Sequence, residues 1–270
     1  MNTENKLLKL ENVLKGLGRV AVAFSGGADS TFLAASAGRA LGTEVLAVTA
    51  VSATFTAGER KEAAKLAKKI GVRHIFLKTA EFGDELFTAN SAKRCYYCKK
   101  IRFAALVKWA AARGYQRVVE GTNVDDSGDY RPGSRAIAEL RQVSSPLKEA
   151  GLTKAEIREV SRRWKLPTWE KPSAACLASR IEYGLPLTPQ RLKQVEEAEK
   201  FVRRSCKGQL RVRHHGTLAR IEAEPEWIPK LAEPGTARKI TAKLKRLGFH
   251  HVALDLAGYK MGSLNLDLEK

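Results

Sequence analysis

The sequence has no uninterrupted apolar run near the ~20 residues a bilayer-spanning helix needs, so no membrane insertion is expected. Its amino end, Met1-Asn2-Thr3-Glu4-Asn5-Lys6, shows neither the apolar core nor the small-residue cleavage site of a secretory signal, and a cytoplasmic location is expected. Cysteine is scarce: the four are Cys95, Cys98, Cys176 and Cys206. In a reducing compartment such a set serves as thiols or metal ligands rather than as disulfides. Acidic residues are outnumbered, 29 against 48 lysines and arginines, for a formal net charge of +19. That surplus points to anionic partners such as nucleotides, nucleic acid or acidic metabolites, with a solvated basic surface as the plainer alternative. Internal repeats, low-complexity segments and a recognisable RNA-binding module are also lacking.

What is present centres on Val20 to Ser30. The apolar run Val20-Ala21-Val22-Ala23-Phe24 has strand length, and it breaks into Ser25-Gly26-Gly27-Ala28-Asp29-Ser30. Ser30 then opens a helical pattern. Glycines at a strand-to-helix junction let successive N–H groups converge, and the helix dipole adds positive potential, which makes a phosphate site. An ordinary glycine-rich turn is the competing reading. The string is not a Walker loop, because no Gly-Lys-Ser/Thr ending brings a lysine to the β and γ phosphates.

From there strand and helix alternate: helix Leu7 to Leu17, strand Glu44 to Val51, helix Ala57 to Ile70, strand His74 to Lys78, a helix from Arg94 to Ala112, and strand Arg117 to Glu120. Short links between such elements predict an α/β fold with a parallel sheet covered by helices on both faces, ligands sitting at the carboxyl ends of its strands. The last strand runs into Gly121-Thr122-Asn123-Val124-Asp125-Asp126 and on to Arg131-Pro132-Gly133, either a ligand-facing loop or a self-bonded polar turn. A capped helix starts at Thr153-Lys154-Ala155-Glu156. Residues 1–165 are expected to form the first domain, and 166–187, with Pro167, Pro172 and Pro186, a crossing segment. Residues 188–270 read as a smaller α+β domain of helix, hairpin, helix and strand, with Arg211 and Arg213 on one strand face. Those arginines either clamp a phosphate or form a solvated basic face.

Cys176 lies in Lys171-Pro172-Ser173-Ala174-Ala175-Cys176-Leu177-Ala178-Ser179-Arg180, where it is either a nucleophile near a cation or a buried small apolar side chain. Cys95 and Cys98 have Cys-x-x-Cys spacing at a helix start, open to an iron–sulfur, zinc or redox role.

The phosphate loop, Arg94-Cys95-Tyr96-Tyr97-Cys98-Lys99, the Gly-Thr-Asn run, the Cys176 segment, Arg211-Val212-Arg213-His214 and Gly258-Tyr259-Lys260-Met261-Gly262-Ser263-Leu264-Asn265 together resemble the LarE family over nearly the whole chain. These are ATP-dependent sulfur transferases of the nickel-pincer cofactor of lactate racemase. The resemblance implies an adenine nucleotide α-hydrolase-like (PP-loop) domain that binds ATP and Mg²⁺. It implies adenylylation of a carboxylate of a pyridinium biscarboxylic acid mononucleotide, with release of pyrophosphate, then replacement of AMP by sulfur. Ser25, Gly26, Gly27, Asp29, Ser30, Gly121, Asn123 and Asp126 are then the nucleotide-binding residues, with Arg180, Arg211 and Arg213 completing the cofactor-binding set. Asp29 is a Mg²⁺ ligand, and Glu199 and Glu222 are metal-binding acids. Sulfur comes from Cys176 itself in one branch, or in another from a [4Fe-4S] cluster on Cys95, Cys98 and Cys176, and the three-cysteine set favours the cluster-bearing branch; Cys206 is incidental. A homo-oligomer, a hexamer, is implied. Two other readings stand beside this one: an ATP-dependent tRNA thiolation enzyme, suited by the charge, and a non-catalytic nucleotide-sensing or sulfur-carrier protein.

Overall fold

The computed structural model of the chain describes residues 2–127, 132–172 and 175–265. Gly128 to Arg131 of the expected ligand loop, and Ser173 and Ala174 of the Cys176 segment, lie outside the described residues. Two compact units emerge, Met1–Glu81 with Cys95–Ala174, and Phe82–Arg94 with Ala175–Lys270.

The first unit is built on a five-stranded, all-parallel sheet. Its strands are β1 (Val20–Ala23), β2 (Val45–Val51), β3 (Arg73–Lys78), β4 (Arg117–Val119) and β5 (Val143–Ser144), in the spatial order β3-β2-β1-β4-β5. Side chains alternate across a sheet, so each strand feeds two cores. Val20 and Val22 join Val45, Ala47 and Val119 on one side, where Phe32, Leu33 and Ala37 of helix Ala28–Leu41 cover them. Ala21, Leu46, Val48 and Val118 face the other side, against Leu106 and Ala110 of helix Arg94–Ala111. Near-continuous apolar strands buried on both faces are what a parallel sheet requires. Strand β3, at the sheet edge, is correspondingly more exposed.

The second unit carries a three-stranded sheet in the order β6-β7-β8. Strands β6 (Leu210–His215) and β7 (Leu218–Ala223) form an antiparallel hairpin, and β8 (His251–Leu254) runs parallel to β7. Leu210 and Val212 pack with Ala198 and Val202 of helix Pro189–Val202 and Ile240 and Leu244 of helix Pro234–Arg246.

Phe82–Arg94 belongs with this second unit, although the sequence places it inside the first domain. The reason is Asn90, fully buried with φ of 55°. Its carboxamide donates to the carbonyls of Glu182 at 2.7 Å and Leu185 at 2.9 Å, and Gly184 N–H donates to Asn90 O at 3.2 Å. Short elements such as helices Glu85–Thr88 and Pro146–Glu149 and the two-residue β5 leave too few residues for a periodic pattern, and sequence reading passes over them.

Candidate active site

The carboxyl edge of the parallel sheet carries the first cluster. After Phe24, whose N–H still bonds Val48 O at 2.9 Å, the chain turns at Gly26 with φ of 73°, a conformation that side chains disfavour. Gly27 is the N-cap of helix Ala28–Leu41 and offers no side-chain cap. Helices Thr3–Leu17, Ala57–Lys69 and Lys154–Arg163 of the same unit are instead capped by Asn2, Thr56 and Thr153. The first-turn amides of helix Ala28–Leu41 are thus left without a capping side chain. Ser25 and Ser30 brace the loop: their hydroxyls lie 3.0 Å apart, Ser30 Oγ donates to Gly27 O, and Gly27 N–H donates to Ser25 Oγ, both at 3.3 Å.

Gly121 packs straight onto this loop. A Cβ there would lie 3.1 Å from Ser30 N and 3.2 Å from Asp29 C, so only glycine permits the approach without displacement. The fold thus joins Asp29, Ser30 and Gly121 across about ninety residues of sequence. Beyond it, Asn123 is buried; its N–H donates to Asp126 Oδ2 at 3.1 Å, and its Oδ1 accepts from Asp125 N–H at 3.0 Å. Asn123 Nδ2 is buried with no hydrogen-bond partner among the described residues. Asp126 here closes the turn.

Residues the sequence did not single out complete this edge. Glu120, at the end of β4, accepts from Thr122 N–H and Oγ1 at 3.1 and 2.8 Å and from Ser145 Oγ. Arg102 ties Ser52 and Thr54, after β2, to buried Glu81. Burial works against the charge of Glu81, but the Arg102 guanidinium overrides it and holds the carboxyl below its ordinary range. Lys171, from the crossing segment, reaches Gly26 O at 2.8 Å.

The second cluster surrounds Cys176. The cysteine is exposed, and it caps a 3₁₀ turn, Leu177–Arg180. Three guanidinium groups hold the carbonyls of this turn. Arg180 Nη1 donates to Ala175 O at 2.6 Å and Cys176 O at 2.9 Å, Arg94 Nη1 to Ala178 O at 3.1 Å, and Arg213 Nη1 to Ser179 O at 3.0 Å. Each arginine is itself anchored: Arg180 Nε on Glu199 at 2.9 Å, Arg94 on Asn90 Oδ1 at 2.6 Å, Arg213 on Glu222 at 2.7 Å.

This arrangement bears on several expectations. Glu199 and Glu222, expected as metal-binding acids, are bonded to arginines here: Glu199 also accepts from Val212 N–H at 3.1 Å, and Glu222 also meets Arg220 at 3.0 Å and Ser263 Oγ at 2.8 Å. Arg180 and Arg213 spend donors on the chain itself. The solvated-face reading of β6 fails as well, because Arg211 and Arg213 are each only 5% exposed. Arg211 donates to Leu210 O at 2.7 Å and stacks near the Tyr259 ring, 5.0 Å from its centroid. Desolvation and then the neighbouring Arg180 charge lower its pKa, with Glu199 partly compensating.

For the implied groups, Asp29 in the first turn of the phosphate-loop helix is a hard oxygen donor where Mg²⁺ on a triphosphate would sit, and it fits that ion. Cys95 is exposed and Cys98 half-buried on successive turns of helix Arg94–Ala111 in the first unit, while Cys176 and buried Cys206 belong to the second. Among the described residues no group of three or more His, Cys, Asp or Glu side chains is placed to hold a metal ion. Burial raises the Cys206 thiol pKa, in keeping with an inert packing role. No described helix is long and apolar enough to cross a membrane.

An all-parallel sheet with a glycine-rich phosphate loop after its first strand defines an ATP-using PP-loop protein, and the asparagine synthase family model matches residues 11–93, which contain that loop. More specifically, the chain belongs to the LarE family. It is 35% identical to the pyridinium-3,5-bisthiocarboxylic acid mononucleotide synthase of Lactiplantibacillus plantarum, over 98% of this chain and 95% of that protein. It is also 40% identical to an uncharacterized protein of Synechocystis, over 99% of both chains, and 32% identical to one of Methanocaldococcus jannaschii, over 94% and 97%.

Proposed function

We propose that this protein is an ATP-dependent sulfurtransferase that converts a carboxylate of pyridinium-3,5-biscarboxylic acid mononucleotide into a thiocarboxylate, for a nickel-pincer cofactor. The observation that carries the reading is an exposed Cys176 on a turn held by three anchored guanidinium groups, in a chain that also bears a phosphate loop.

The substrate carboxylate attacks the α-phosphorus of ATP, and the bond to the β-phosphate oxygen breaks with its electron pair leaving on pyrophosphate. Uncapped amides of the loop, Ser25 and Ser30 bind and orient the phosphates, a role of positioning and charge neutralisation. Mg²⁺, held at Asp29 when bound, supplies further charge compensation. Gly121 and Asn123 border the nucleotide, and the Nδ2 donor of Asn123 finds its acceptor there. The guanidinium of Arg211, beside Arg180, suits the phosphate of the mononucleotide.

Cys176 sulfur then attacks the activated carbonyl and AMP leaves, giving a thioester. Loss of the Cys176 Cα proton to a base and cleavage of its Cβ–S bond, with the electron pair on sulfur, release the thiocarboxylate and leave dehydroalanine. We place the nucleotide chemistry in residues 1–165 and substrate binding and oligomerisation in 188–270, with 166–187 bearing the sulfur donor.

The test is an anaerobic assay with ATP, Mg²⁺ and the mononucleotide, following AMP, product and intact protein mass together. One product per chain, with a mass loss of one H₂S localised at Cys176, is the expected result. Many turnovers with added sulfide and an unchanged mass would replace the sacrificial cysteine by a cluster. AMP release that requires tRNA would move the function to RNA thiolation.

A further inference from the structure

The phosphate loop contains no lysine of its own, yet a lysine 145 residues further along the chain reaches it. Lys171 Nζ donates to Gly26 O at 2.8 Å, and to Glu62 Oε1 of helix Ala57–Lys69 at 2.9 Å. We propose that Lys171 is a phosphate ligand, the residue that brings an ammonium charge to the β and γ phosphates of a nucleoside triphosphate in this loop. The proposal rests on the reading of the loop as an ATP site given above.

The main chain that presents Lys171 is held in place. Its N–H donates to Thr168 O at 3.1 Å and its carbonyl accepts from Arg158 Nη2 at 2.8 Å, so the side chain springs from a fixed base. An ammonium carries three N–H donors, and these two acceptors leave one for an incoming oxygen. Glu62 is half exposed, and an ion pair in that setting is weak. A triphosphate brings several negative charges to the same place, so the ammonium exchanges Glu62 for phosphate oxygens while Gly26 O keeps it at the loop. When the bond from the α-phosphorus to the pyrophosphate oxygen breaks, the charge developing on the leaving group falls beside Lys171.

The experiment measures MgATP and AMP binding by calorimetry on the full chain, without carboxylate substrate, for the parent, K171M, K171R and E62Q. AMP lacks the β and γ phosphates and serves as the internal control. K171M is expected to weaken MgATP binding by about tenfold or more, the scale of one charge-assisted contact, while AMP binding moves by less than about twofold. K171R restores most of the ATP affinity, and E62Q binds ATP at least as tightly as the parent. Equal ATP affinity in K171M, or ATP and AMP weakened alike, overturns the proposal, the second result marking Lys171 as a structural brace. A parent chain that binds no MgATP would instead overturn the reading of the loop itself, and this proposal with it.

Discussion

The phosphate loop and the Cys176 turn solve the same problem, holding a short irregular segment still, with opposite materials. The loop is braced by main-chain geometry and two hydroxyls, with Gly26 at positive φ, Gly121 in close approach and Ser25 against Ser30. The turn is braced by guanidinium side chains, each anchored by a buried acid or amide. Main-chain bracing leaves the loop's amides for an anion and requires little desolvation of charge. Charged bracing requires each ion to keep its partner, because an unpaired buried charge is costly. The first device tolerates loss of one contact; the second does not.

That contrast is broken most directly at Glu222. Changing Glu222 to Gln leaves the Arg213 guanidinium, 6% exposed, without its counter-charge, and destabilises the second unit by roughly 3–5 kcal/mol. Ser25→Ala, the matching deletion in the loop, costs only about 1 kcal/mol. Urea unfolding of both variants measures the difference, and equal losses would erase the distinction.

A smaller effect comes from acid. Desolvation, then the nearby Arg191 charge, lowers the His214 pKa from 6.5 to about 4, so the folded protein keeps this imidazole neutral. The unfolded chain binds the proton first, hence stability falls as pH drops from about 6.5 toward 4, by on the order of 1–2 kcal/mol. In the first unit, burial raises but the Lys6 and Thr153 hydrogen bonds more strongly lower the Glu156 pKa, to about 2. Its contribution is complete above about 4.5 and is lost only as pH falls below that. Thermal melts between pH 7 and 5 should therefore show the second unit weakening first, and His214→Gln should flatten the slope.

The smallest effect sharpens the comparison from the loop side. Gly121→Ala inserts a methyl group 3.1 Å from Ser30 N, costs about 1 kcal/mol of stability through local adjustment, and weakens ATP binding by several-fold. An unchanged ATP affinity would separate Gly121 from the nucleotide site.

The same contrast explains what the sequence disclosed. The loop is contiguous, and its glycines and serines stand where an apolar strand gives way to helical spacing, so strand, turn and helix are read in one pass. Alternation of apolar strands with helices likewise announces the parallel sheet. The bracing of Cys176 draws on Asn90, Arg94, Glu199, Arg213 and Glu222, scattered over more than a hundred residues, and no local pattern pairs them. The regular spacing of Arg211 and Arg213 suggested a clamp, yet spacing says nothing of the acids that face such a strand from β7 and from helix Pro189–Val202. Lys171 was visible beside Pro172, but only folding brings it to Gly26.

Asn90 also has a consequence for how the chain is made. Its carboxamide awaits the carbonyls of Glu182 and Leu185, which leave the ribosome more than ninety residues later. At ~5–20 residues per second, Phe82–Arg94 spends roughly 5–20 s without its partners while β4 and β5 of the parallel sheet are being made. Through the middle of its own synthesis the nascent protein thus carries Phe82–Arg94 without the carbonyls that later fix Asn90.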